Sequence, residues 1–256
     1  MTASTIRNKA AKILKIALPV IFWLSVYELL AFTLVLIIDT SAYLPHLNDV
    51  AYALFGLLSD GSFYLVCALT LLRVIAALTL GIILGVLLGI LSAKFKTIYH
   101  IMNPFMSVVK ATPVASFIIA LWVLLSGNVL VIMIATFMVM PIIWQSTYNS
   151  FDMLDRGLVE VGEMFEFSPK YRFKVLYLPS LKKYLVPSVI TSVGLAWKSE
   201  VAAEIIAYTT SSIGQLINDA KYENEYPMVF AWTFVIIIFS ILFETLTKHL
   251  FRRIKI

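Results

Sequence analysis

The chain has 256 residues, 61% of them apolar and only 14% charged, with a formal net charge of +5 and a mean hydropathy of +0.92. Soluble domains carry about a quarter charged residues, so too few polar side chains are present to cover a water-facing surface. The composition predicts an all-α, polytopic integral membrane protein forming a single transmembrane domain over residues 1–256. The lone Cys67 excludes an internal disulfide framework and a cysteine-based metal cluster.

In chain order, apolar stretches at 13–38, 63–91, 104–125, 129–144, 184–207 and 228–250 predict about six transmembrane helices. Each can cross a hydrocarbon core of ~30 Å at about 1.5 Å per residue, the fourth with help from its flanks. The first stretch is too long for a cleavable leader and lacks a small-x-small exit, so it is expected to be retained. Gly81, Gly85 and Gly89 recur on nearly one face of the second, a spacing that lets helix backbones approach closely. Pro113 and Pro141 predict local bends. Ser126-Gly127-Asn128 predicts a tight turn between the third and fourth spans.

Lys and Arg set the orientation. Sixteen of the twenty basic residues fall on one side: Arg7, Lys9, Lys12 and Lys15, then Lys94 and Lys96, then six from Arg156 to Lys183, and finally Lys248, Arg252, Arg253 and Lys255. The opposite loops hold only Lys221, among acids that include Asp39, Asp49 and Glu223. By the positive-inside rule both termini are expected in the cytoplasm of a plasma-membrane protein. Basic residues distributed in this way do not form a nucleic-acid surface.

Between the fourth and fifth spans, residues 151–183 predict a cytoplasmic helical hairpin. Phe151, Leu154, Leu158, Val161 and Phe165 recur at spacings of three and four and make one apolar stripe, with Asp152, Asp155, Glu160 and Glu163 on other faces. A second helix is expected to begin with Ser168 as N-cap and Pro169 at its first position. Such a hairpin can lie on lipid or dock into a partner.

Glu160-Val161-Gly162, three residues, Glu166, nine residues and Leu176-Tyr177-Leu178-Pro179 resemble the EAA motif, Glu-Ala-Ala-x3-Gly-x9-Ile-x-Leu-Pro, of permeases of binding-protein-dependent ABC importers. Gly162 stands for the second Ala, and Glu166 stands where the family has its turn Gly. Tyr43-Leu44-Pro45, Thr70-Leu71-Leu72-Arg73, Ala111-Thr112-Pro113, Trp197 through Glu204 and Ser212-Ile213-Gly214 follow in the expected order. Together they are similar to the nitrate, sulfonate and taurine branch of that family. The resemblance implies a homodimer with a path between subunits, two cytoplasmic ABC ATPase subunits beneath, and an external binding protein that delivers substrate. It implies that Phe151, Leu154, Leu158, Glu160, Val161, Gly162, Phe165, Glu166, Leu178 and Pro179 couple the chain to the ATPase. The chain has no GxxxxGK[ST] phosphate loop, so it is expected to be no enzyme and to hold no cofactor, with ATP bound by the partner.

Ionisable groups inside spans are costly and by default functional. Arg73, Lys198, Glu200 and Glu204 are the candidates for the translocation path. Interhelical pairing, for example of Arg73 with Glu204, is the other reading. Lys110 is expected to snorkel to the interface. His46, His100 and His249 are scattered near span ends and suggest no metal site, and Glu28 and Glu244 have no evident role. A membrane-embedded enzyme would need a nucleophile with a base, or clustered ligands, inside the bundle. No HExxH or GxSxG is present. A stand-alone channel or carrier would not require a hairpin with EAA spacing. Cargo within the same architecture could also be a vitamin precursor related to thiamine or riboflavin.

Overall fold

The computed structural model describes residues 3–38 and 44–252. Asp39, Tyr43, Arg253 and Lys255 lie outside the described residues, as do the side chains of Arg7, Lys9, Lys12 and Arg252. Every regular element among the described residues is helical, as the composition predicts. The chain forms two compact units.

One unit comprises Met1–Asp60 with Asp219–Thr233. It contains α1 (Ala3–Ile38) and α2 (Leu47–Ser59), a short helix that the span-length reading of the sequence does not anticipate. Here Glu28, without a role in the sequence, finds one. Its Oε2 accepts the Leu47 N–H at 3.0 Å and its Oε1 lies 2.8 Å from His46 Nδ1, so a carboxylate from α1 satisfies the free N-terminus of α2. The neighbouring Tyr27 hydroxyl donates to the Pro45 carbonyl at 2.8 Å.

The other unit, Gly61–Asn218 with Phe234–Ile256, holds α3 (Gly61–Lys94), α4 (Lys96–Ala111), α5 (Val114–Trp122), α6 (Gly127–Asp152), α7 (Arg156–Met164), α8 (Pro169–Arg172) and α9 (Leu178–Ala207). The helices α10 (Ile213–Tyr222) and α11 (Tyr226–Arg252) are divided between the two units. The core of this unit is α6, flanked by α3 and α9. Gly81, Gly85 and Gly89 face Val139, Ile143 and Thr147 of α6. A methyl group on them would stand 2.8 Å from Val139 Cγ1, 2.7 Å from Ile143 Cβ and 2.5 Å from Thr147 Cβ. Only glycine permits that approach, and in a bilayer such packing replaces the hydrophobic drive that water supplies elsewhere. Thr136 Oγ1 donating to the Ala77 carbonyl at 3.3 Å and Trp144 Nε1 donating to Ser92 Oγ at 2.9 Å tie the same seam.

The expected spans recur as helices, with the third broken in two. Four described helices (α1, α3, α6 and α11) are long and apolar enough to cross a membrane, or five if the bent pair α4–α5 counts as one span. That pair replaces the continuous third span: its axes turn by 107° at Thr112-Pro113. Proline disfavours helical torsions in the residue before it, and Thr112 accordingly adopts ψ 126°. Pro113 is therefore a break, whereas Pro141 lies within an unbroken α6. The expected fifth span, α9, has 30 residues, but Lys182, Lys183, Lys198, Glu200 and Glu204 make it more polar than the others.

The hairpin also differs from expectation. The helix predicted from Phe151 is interrupted: α6 runs on to Asp152, and Asp155 then caps a new helix by accepting the Gly157 N–H at 2.8 Å. Ser168 caps α8 as predicted, accepting the Tyr171 N–H at 3.4 Å, with Pro169 at the first position. α8 does not end there but passes through a π-turn, Phe173–Tyr177, into α9.

Between α7 and α8, Glu166 has φ 51°. The Phe167 N–H reaches the Gly162 carbonyl and the Glu166 N–H the Glu163 carbonyl, both at 3.0 Å, which is a Schellman ending with Glu166 at the left-handed position. The turn that the motif assigns to glycine is thus made here by glutamate, against about 1 kcal/mol of backbone strain. Glu166→Gly should stabilise the protein by about 1 kcal/mol, a rise of roughly 2–4 °C in Tm by thermal unfolding in detergent. An unchanged or lower Tm would contradict the strain assigned to this turn.

Candidate functional site

The buried charges converge. Arg73 of α3 places Nη1 2.9 Å from Glu204 Oε1 of α9, with both residues buried. The remaining guanidinium N–H groups also find acceptors. Nε donates to Asn128 Oδ1 at 2.9 Å, Nη2 to the Thr210 carbonyl at 3.2 Å, and both Nη1 and Nη2 to the Ser211 carbonyl at 3.3 Å. Glu204 is equally occupied: Thr70 Oγ1 donates to it at 2.9 Å and the Gly214 N–H reaches its Oε2 at 3.3 Å. The approach of Gly214 depends on the missing side chain, since a methyl there would stand 2.4 Å from the Ile205 nitrogen.

Three motifs, the first of them over a hundred residues from the other two, are therefore one structure. Thr70 and Arg73, Glu204, and Ser212-Ile213-Gly214 meet at the C-terminal end of α9, together with Asn128 from the start of α6. The loop they hold contains two further left-handed residues, Tyr208 (φ 50°) and Ser211 (φ 52°). In the sequence Thr70 and Gly214 are motif elements and Asn128 a turn residue, with nothing to tie them to Arg73 and Glu204. The i, i+3 spacing of Thr70 and Arg73 on one helix face was the signal available for the first.

The four intramembrane candidates thus divide. Arg73 and Glu204 form an ion pair whose hydrogen-bonding capacity is filled by the protein. Glu200, one turn before Glu204, is fully buried and neither carboxyl oxygen has a hydrogen-bond partner among the described residues. Lys198 is exposed on another face of α9. Glu244 pairs with Lys248 four residues on.

At the opposite end of α9 lies the hairpin. Of the predicted stripe, Phe151 and Leu154 are half-buried, and the Phe151 ring packs 5.4 Å from that of Tyr177. Those two residues, with Arg156, Val159 and Glu160, line a cleft of about 360 Å³. Leu158, Val161 and Phe165 are exposed on α7, joined by Met164, which the stripe omits; Phe165 and Met164 are 72% and 81% exposed. Glu160, Glu166 and Pro179 are exposed, Leu178 half-buried and Gly162 buried. A methyl on Gly162 would sit 3.3 Å from both Leu176 and Phe167, so glycine lets α7 close on the returning limb of the hairpin. Arg172 and Glu163, 3.5 Å apart, add a surface tie.

Removing one member of a buried pair costs about 3–5 kcal/mol because the other charge is stranded. Arg73→Ala should therefore lower stability by about that amount in detergent unfolding, and Arg73→Met with Glu204→Leu should lower it less than Arg73→Ala alone. A double variant as unstable as the sum of its single variants would show that the two residues act independently.

The chain is similar to known proteins in sequence and in fold. The family described as binding-protein-dependent transport system inner membrane component matches residues 81–256. A probable ABC transporter permease protein of Brucella melitensis is 24% identical over 215 residues, covering 82% of this chain and 86% of that protein. The putative aliphatic sulfonates transport permease protein SsuC of Bacillus subtilis is 25% identical over 112 residues, 44% of this chain and 40% of SsuC's length. A chain of the MetNI methionine ABC transporter, in an inward-facing conformation, shares the fold with a TM-score of 0.62 at 17% identity, covering 77% of this chain and all of that one. With the family match extending over more than half of its length, the chain belongs to the inner membrane components of binding-protein-dependent transport systems, the permeases of ABC importers.

Proposed function

We propose that the chain is the permease of an importer for a small sulfonate-, taurine- or nitrate-like solute, driven by ATP hydrolysis on separate subunits that dock on the hairpin. The observation that carries the docking is the exposed apolar patch of Leu158, Val161, Met164 and Phe165 on α7. Its helix is fixed by its own caps and turn, at the spacing of the EAA motif. A short capped helix gives a partner a defined face, and Glu160 beside the patch sets its polarity. Both termini and the hairpin lie in the cytoplasm in this reading, and an external binding protein delivers the cargo.

Two copies pair around the path. Lys198, exposed in the middle of α9, would face hydrocarbon in a lone chain, where a cation is costly; a second subunit covers it. With Arg73 committed to Glu204, Lys198, which interacts electrostatically with Glu244 on α11, is the remaining candidate cation to meet an anionic solute, and Glu200 is the buried acid left to discriminate against one. The partial similarity to SsuC supports a sulfonate-type cargo.

Vesicles holding the permease, its ATPase and its binding protein test the reading. Sulfonates should compete with the natural cargo. Leu158→Asp and Glu160→Lys should leave insertion intact and abolish uptake, because burying an unpaired carboxylate at 158 costs several kcal/mol and a lysine at 160 reverses the charge beside the patch. Unchanged uptake with the ATPase still bound would reduce the hairpin to a scaffold, and competition by a neutral pyrimidine or flavin alone would reassign the cargo. Orientation has its own test. Reporters fused after Lys96 and Lys174 should read cytoplasmic and one at Asp49 external; an external signal at Lys174 would separate the hairpin from any cytosolic partner.

A further inference from the structure

A groove of about 700 Å³ lies between the bend before α7 and the start of α9. Leu158, Val175 and Leu178 give it an apolar floor, and Lys174, Lys182 and Lys183 line it as well. Asp155 is the only carboxylate in the lining, and its Oδ1 is engaged by the Gly157 N–H. None of the three lysines is in an ion pair among the described residues. The Lys183 ammonium lies 5.5 Å from the centre of the Tyr184 ring.

The position of the groove identifies its occupant. After Lys183 the next fourteen residues, 184–197, carry no charge, so the groove sits where α9 passes from charged to apolar sequence, the level at which a membrane helix meets lipid headgroups. Lysines at that level extend their ammonium groups toward the interface over apolar stems. Basic pockets at the ends of membrane helices attract anionic lipid at about a fivefold gain per lysine. A soluble anion would use the cations but not the apolar floor, whereas a phospholipid uses both. We propose that this groove binds an anionic phospholipid, its phosphate held by Lys174, Lys182 and Lys183 and its acyl chains lying along the first apolar turns of α9. The assignment is independent of the cargo; the groove shares Leu158 with the proposed docking patch but none of its three lysines.

Native mass spectrometry of the delipidated full-length permease, titrated separately with phosphatidylglycerol, phosphatidylcholine and inorganic phosphate, tests it. Phosphatidylglycerol should be retained at least about tenfold better than phosphatidylcholine. Joint substitution Lys174→Gln, Lys182→Gln and Lys183→Gln should bring the two lipids near parity, while Lys→Arg at the same positions, or Lys248→Gln elsewhere, should preserve the preference. Should the triple glutamine variant fail to fold, the single Lys182→Gln variant is expected to lose about fivefold, and the arginine variant still reports on charge. No preference in the wild type, an unchanged preference in a folded glutamine variant, or displacement of phosphatidylglycerol by inorganic phosphate would each overturn the proposal.

Discussion

A guanidinium brought into an apolar helix bundle needs an acceptor for each of its five N–H groups, because no bulk water is there to supply one. Arg73 meets that demand with Glu204, Asn128 and two loop carbonyls. The consequences reach well beyond the pair. Glu204 must in turn be satisfied, which brings in Thr70 and the Gly214 amide, and that amide can arrive only because residue 214 lacks a side chain. The left-handed torsions of Tyr208 and Ser211 bend the loop so that its carbonyls face the cation. Four segments drawn from a stretch of over a hundred residues are held by one requirement. Replacing it with apolar packing could match its stability, but would not dictate which segments meet.

The seam between α3 and α6 follows a second rule of the bilayer. Lipid is as apolar as leucine, so helices associate by fit. Three glycines spaced by four residues give α3 a flat strip against which the β-branched Val139, Ile143 and Thr147 lock. This strip was legible in the sequence because its signal is periodic and lies within one helix. The partnership of Arg73 with Glu204 was legible only as one of two readings, since nothing in a linear pattern says which of several intramembrane charges come together. The break at Thr112-Pro113 was legible as a bend but not as a turn of 107°: its size depends on where α5 packs, with Ile118 set among Leu130, Val131 and Ile134 of α6.

The hairpin shows the same division. Its caps are local chemistry, and Ser168 and Pro169 act where sequence places them. The stripe through Phe151 and Leu154 misleads because helical spacing continues across a chain that has already turned; the capping side chain of Asp155 resets the helix. Glu166 is the opposite case. Its identity argued against a tight turn, yet the hydrogen bonds of Gly162 and Glu163, with Phe167 closing over Gly162, outweigh the strain of one residue.

The π-turn at Phe173–Tyr177 gives the hairpin a mechanical character. Because it joins α8 to α9 without interruption, helical backbone runs from Pro169 to Ala207, a rod of about 58 Å at 1.5 Å per residue. Pro187 lies within it without ending the helix. One end carries the return limb of the hairpin and the other Glu204. A tilt of about 5° at the first end would sweep the second through about 5 Å, more than the length of the hydrogen bonds that hold Arg73. A rotation imposed at one end of such an arm would therefore be felt at the other as strain on the hydrogen bonds between Arg73 and Glu204.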